Sequence, residues 1–225
     1  MLPATLLTAS RQHRHQTDSR SEAAYRILKE KIVTLEFPPA SVLNEAELMA
    51  ELNLGRTPIR EALQRLAFDN LVIILPRRGT IVADLNMSDI QKIFEVRVEL
   101  EAYAAKLAAE RARPEQIAEM ERLFAGAEDI ISQGDYHELI WLDHQAHCLL
   151  AQAAQNEFLE ETLEQLYTHI LRLWYVSLHK VSLLADAIQE HRQVIAAVKA
   201  GDGDRAAQIM RNHIAGFQRK FTAAL

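Results

Sequence analysis

Apolar residues recur along this chain at helical spacing, and one short stretch near the N-terminus departs from it. From Ser21 onward Tyr25, Leu28, Ile32 and Leu35 share one face, and Phe37-Pro38-Pro39 closes that helix. Glu45 to Leu52 reads as a second, short helix, and Asn53-Leu54-Gly55 as a tight turn. A third helix is expected to open with Thr57 as N-cap and Pro58 at its first position, carrying the stripe Ile59, Ala62, Leu63, Leu66 and Ala67. The period then changes to that of strands. Leu71-Val72-Ile73-Ile74 and Thr80-Ile81-Val82 flank Pro76-Arg77-Arg78-Gly79, a hairpin with a basic tip. After Asp84-Leu85-Asn86-Met87, with Ser88 and Gln91 as a capping box, the helical period returns and persists. Six helices are expected, roughly 88–112, 114–133, 135–154, 156–180, 182–200 and 203–223, with no strand signal among them. The fold class is therefore mainly α: a helix-turn-helix with a small β-hairpin wing, followed by an all-α six-helix bundle.

Two short helices joined by a glycine-containing turn form the helix-turn-helix pattern. Arg60 and Gln64 lie off the apolar stripe of the third helix and point outward together, with Arg56 just ahead of the first turn. A cationic, hydrogen-bonding face at a helix N-terminus suits the reading of a major groove, and a hairpin wing adds phosphate or minor-groove contacts. The plain reading of the same helix is an amphipathic surface helix whose arginines are merely solvated; the basic hairpin that follows tips the balance toward DNA.

This order of elements resembles the winged helix-turn-helix of the GntR family of bacterial transcription regulators. The residues that carry the resemblance are Leu48, Leu54, the run Arg56-Thr57-Pro58-Ile59-Arg60-Glu61-Ala62-Leu63, Leu66, Leu71-Val72 and Pro76-Arg77-Arg78-Gly79. Gly55 stands where that family usually has serine or threonine, Ala46 where some members have arginine, and Ala40 and Asn70 replace glycines common at two turns. The resemblance implies that Arg56, Thr57, Arg60 and Gln64, with Arg77, Arg78 and Gly79 of the wing, contact double-stranded operator DNA. Reading both halves of a palindromic operator with one short helix per subunit calls for a two-fold homodimer.

The formal charge of −6 argues against DNA binding only until it is divided along the chain. Through Asp84 there are 11 Lys and Arg against 10 Asp and Glu; beyond it there are 14 against 21. Local potential at the contact face governs binding, so the acidic second half is not the DNA-facing part. A single cysteine, Cys148, excludes an internal disulfide and fits a reducing cytoplasm. No apolar run is long enough to span a membrane, and Met1 to Leu7 lacks the charge and length of a signal peptide. Residues 1–20 are polar and aperiodic, and are expected to form a disordered tail. The expected domains are then 21–84, binding DNA, and 85–225, the helical bundle.

The bundle carries polar residues where its stripes are apolar. Asp143 and His147 are four apart on the face of Leu139, Ile140 and Leu150. His191 falls in the series Ile188, His191, Ile195, Val198, and His213 in Ala206, Met210, His213, Phe217. One inward histidine is ordinarily a satisfied core residue; three with an aspartate are costly unless they share a partner, and a divalent cation is one. Such donors suit zinc first, with nickel, manganese or iron as alternatives. This half resembles the FCD ligand-binding domain of the FadR subfamily. That resemblance rests on Arg97 with Glu101, Asp143-x-x-x-His147, Asn156, Glu190-His191 leading to Ala200-Gly201-Asp202, and Met210-x-x-His213. It implies metal binding by Asp143, His147, His191 and His213.

Arg97, inward beside Ile93, Phe94 and Leu100, has two readings: an ion pair with Glu101, or a fork for a small carboxylate effector that also meets the metal. Of the remaining candidates, His144 is expected to point outward and Cys148 to act as a small filler, while His169, beside the stripe Leu166, Ile170 and Leu173, is expected to pack in the core, the alternative being to line the pocket with Trp174 and Tyr175. The expectation is a cytoplasmic, metabolite-responsive transcription regulator, a repressor by the commoner logic, and not an enzyme. The rivals are a metalloenzyme acting on a small organic acid and a regulator whose metal is purely structural.

Overall fold

A computed structural model of the chain describes residues 19–176 and 181–222. The expected tail lies outside the described residues except for Ser19 and Arg20. The described residues divide into two compact units, one of 19–86 with 168–176 and the other of 87–167 with 181–222.

The first unit opens with α1 (Arg20–Val33), capped by Ser19, whose Oγ accepts from the backbone N–H of Glu22 at 3.1 Å. Next come β1 (Val42–Leu43), α2 (Glu45–Leu52), α3 (Arg56–Phe68), β2 (Val72–Leu75) and β3 (Gly79–Val82). The strands form one antiparallel sheet in the order β1-β3-β2, with Val42 and Ile73 both opposite Ile81. Leu28 and Ile32 of α1 pack with Leu48, Ile59, Ala62, Leu63 and Leu66, and the sheet adds Leu43, Val72 and Val82. The α2–α3 turn closes through Asn53 in the left-handed conformation (φ 50°), which asparagine tolerates. β1 was not expected, because two residues are too few to display a period.

The start of α3 corrects one expectation. Its N-cap is Gly55, with no side-chain cap, so Thr57 and Pro58 lie inside the first turn. The first N–H groups of a helix have no intrahelical partner, so proline fits any of those positions and does not fix the start.

The second unit is built from α4 (Met87–Arg111), α5 (Pro114–Leu123), α6 (Ala127–Gln133), α7 (Tyr136–Ala153), the part of α8 (Glu157–Val176) up to Tyr167, α9 (Val181–Lys199) and α10 (Gly203–Thr222). The end of α8, Thr168–Val176, clusters with the first unit. There Arg172 Nη2 donates to the carbonyl of Ala83 at 2.6 Å. α4 packs along α10 and against α7 and α9. Gly203 permits a close approach: a Cβ there would lie 3.2 Å from the backbone oxygen of Lys106 on α4.

The expected helix over 114–133 is in fact two, which makes seven helices here among the described residues rather than six. The break falls at Phe124 to Gly126, where Gly126 takes φ +81° while Phe124 and Ala127 are buried. A single glycine inside a continuous apolar period gave no sign that the axis turns there.

Candidate metal centre and nucleic-acid interface

Every residue expected to meet DNA is on the surface. Arg56, Thr57, Arg60 and Gln64 are exposed at the start and along the outer side of α3, and Arg77, Arg78 and Gly79 at the hairpin tip. Arg60 Nε lies 3.1 Å from both carboxylate oxygens of Glu45, on α2. Arg65 takes a different part: its guanidinium lies 2.5 Å from Glu22 and 4.0 Å over the ring of Tyr25, whose hydroxyl donates to Asp69. It joins α3 to its scaffold. At the wing the N–H of Arg78 donates to the Leu75 carbonyl at 3.1 Å, and Arg77 occupies the left-handed region at φ 63°. Turns of this shape usually have glycine at that position.

In the second unit three helices bring four side chains to one point. Asp143 and His147 come from α7, His191 from α9 and His213 from α10, all buried. Each offers one ligand atom, and these atoms all lie within 4.8 Å of one another. His191 Nε2 is 2.9 Å from Asp143 Oδ1, and His147 Nε2 is 4.0 Å from the same oxygen. The rings stand close, with centroids 4.4 Å apart for His191 and His213 and 4.7 Å for His147 and His191. Burial alone would raise the Asp143 carboxyl, but the hydrogen bond from His191 and the surrounding imidazoles bring it far below its usual range. Burial also pushes all three imidazoles below their ordinary value, so they stand as neutral bases. Three neutral imidazoles and an ionised carboxylate facing one point are the donor set of a divalent transition metal.

Around this set lie residues that the sequence marked only in part. Glu101 accepts from His147 Nδ1 at 2.9 Å and from Arg97 Nε at 3.0 Å, so the Arg97–Glu101 ion pair is formed, with both residues buried. Glu190 accepts from His213 Nδ1 at 2.7 Å. The hydroxyl of Tyr167, on α8, donates to Asp143 Oδ2 at 2.5 Å. Its sequence position gave no warning, since an aromatic residue in an apolar stripe reads as packing.

His144 corrects a second expectation, because it is buried. Its ring stacks on Tyr167 at 4.7 Å, with Nε2 3.3 Å from Cys148 Sγ. α7 is enclosed along most of its circumference from Leu139 to His147, so a 100° offset from Asp143 does not reach solvent. His169 meets the carbonyl of Asp69 at 3.1 Å, within the first unit.

The sequence model of the FCD domain matches residues 92–216, more than half of the chain, and that of the bacterial regulatory proteins, gntR family, matches 20–82. This chain belongs to the GntR family and carries an FCD domain. The HTH-type transcriptional repressor RspR of Escherichia coli K12 is 28% identical over 198 residues, spanning 88% of this chain and 87% of its own. The repressor GlaR of the same strain is 29% identical over 84% of this chain and 90% of its own. Among solved structures, E. coli McbR/YncC superposes with a TM-score of 0.75 at 25% identity, over 90% of this chain and 99% of that one. As a GntR/FCD protein the chain is a DNA-binding transcription regulator and not an enzyme, which removes the metalloenzyme reading. No helix among the described residues is long and apolar enough to cross a membrane.

Proposed function

We propose that this GntR/FCD regulator is a metabolite-responsive repressor of the FadR subfamily. Residues 21–84 bind a palindromic operator, and residues 85–225 dimerise, hold a divalent metal and bind a small carboxylate effector. The observation that carries the reading is the convergence of Asp143, His147, His191 and His213 on one buried point. Zinc fits this donor set first, with nickel, manganese or iron as alternatives. Arg56, Thr57, Arg60 and Gln64 read the groove, and Arg77, Arg78 and Gly79 hold the backbone; their exposure supports this assignment.

Arg97 is the proposed effector fork. Its Nη2 and Nε lie 2.9 and 3.0 Å from one oxygen of Glu101, and the guanidinium lies 4.6 Å over the Tyr167 ring. A buried guanidinium separated from His147 only by the Glu101 carboxylate is a group of the kind that holds a small carboxylate in a forked geometry. An effector bound there shifts DNA binding only through its different affinity for two arrangements of the protein.

Elemental analysis of untagged protein tests the metal: the wild type retains a divalent ion and the His191→Ala/His213→Ala double variant does not. Equal content in both ends the idea. Thermal shift of the metal-loaded protein against mono- and dicarboxylates tests the effector, and Arg97→Met is expected to flatten the response. The complete burial of the four ligands favours a second reading, a closed structural metal, which predicts no response to any acid together with a large loss of melting temperature on chelation.

A further inference from the structure

We infer that Glu101 and Glu190 are positioning residues for the metal, each holding one ligand imidazole in the tautomer and orientation that a cation requires. The inference rests on the metal reading above and extends it to residues outside the ligand set.

The three imidazoles are not equivalent. His147 and His213 each turn Nδ1 to a carboxylate that is not a ligand, Glu101 at 2.9 Å and Glu190 at 2.7 Å. A ring that offers the Nε2 lone pair to a cation carries its proton on Nδ1, and each of these carboxylates stands where it accepts from Nδ1. Both bonds join different helices: Glu101 on α4 holds His147 on α7, and Glu190 on α9 holds His213 on α10. Ring orientation is therefore set across the bundle rather than by the rotamers of one helix. His191 lacks this support. Its buried Nδ1 has no hydrogen-bond partner; its Nε2 meets Asp143 at 2.9 Å and its ring lies against Phe124 at 6.1 Å.

The two carboxylates differ in a way that makes a test possible. Glu101 is buried and shares its second oxygen with Arg97, whereas the Glu190 side chain is 38% exposed. Glu190→Gln therefore leaves no buried charge behind. Glu101→Gln alone would strand Arg97, so it is paired with Arg97→Met, which removes the buried ion pair as a unit. Surface Glu121→Gln, whose partner is Lys199, serves as the control.

Zinc affinity of the full chain, measured by competition with a chromogenic chelator, reads the effect, with the melting temperature of metal-free protein measured in parallel. Carboxylates that orient metal-bound histidines support affinity by about 10–100-fold. Glu190→Gln and Arg97→Met/Glu101→Gln are each expected to weaken zinc binding by a factor in that range, with Glu190→Gln melting like the wild type when metal-free and Glu121→Gln binding zinc normally. Unchanged affinity in both variants overturns the inference while leaving the metal reading intact. So does a loss of affinity in Glu190→Gln that is matched by a lower metal-free melting temperature, since that marks a merely structural pair. A wild-type protein that takes up no zinc sinks both.

Discussion

The clustered histidines show how a single residue's surroundings set its behaviour. Burial holds His147, His191 and His213 below the ordinary imidazole value of 6.5, and burial with the nearby Arg172 charge does the same for His169. Between the folded and unfolded values the unfolded chain binds more protons, so stability rises with pH across that interval. Metal-free protein is therefore expected to be fully stable above 6.5 and to lose stability as pH falls below it, which urea midpoints at stepped pH will show. Asp143 is depressed in the folded state, so its contribution vanishes at lower pH, below the ordinary carboxylate value of 3.8. Ala40 offers a second check. It stands where the family commonly has glycine, and its φ of 63° is left-handed. Ala40→Gly is expected to raise stability by about 1 kcal/mol in thermal or urea unfolding. The four clustered residues were legible in the sequence because they interrupt apolar stripes at helical spacing. Tyr167 and His144 were not, since a buried aromatic at a stripe position and a ring on a helix enclosed on most sides leave no mark on the pattern.

At the scale of elements, α2, α3 and the hairpin were legible because turn residues and periods agreed. Asn53, the stripe from Ile59 to Leu66, and Pro76 to Gly79 each punctuate in the expected way. The α5–α6 break was missed because its cause is tertiary: Phe124 and Ala127 are buried on either side of a glycine that can take φ +81°. Gly126→Ala should cost about 1–2 kcal/mol through that backbone angle alone, measured as a shift in the urea midpoint. The wing and the recognition helix are expected to fail differently when cut back. Arg60→Ala should lose about 1–3 kcal/mol at the specific operator by fluorescence anisotropy, with specificity relaxed. Arg77→Ala or Arg78→Ala should weaken binding on all sequences and lower the salt slope by about 1.

For the whole molecule, the sequence separated a near-neutral N-terminal part from an acidic one, and the family models divide along similar lines, at 20–82 and 92–216. On the proposed two-fold reading of its operator, light scattering should return twice the 25.5 kDa chain mass. The pairing of Arg60 with Glu45 bears on how such a molecule searches a chromosome. The Arg60 side chain is exposed and that of Glu45 is half-buried at the surface, so the pair is weak. Glu45 nonetheless imitates a phosphate next to the very guanidinium proposed to read the bases. On that proposal, random DNA that offers Arg60 mainly phosphates displaces this decoy for little return, whereas the correct base edge repays the displacement with directed hydrogen bonds. On that reading the carboxylate costs every encounter the same small amount, which shortens all dwells by one factor and leaves the order of preference to the base edges.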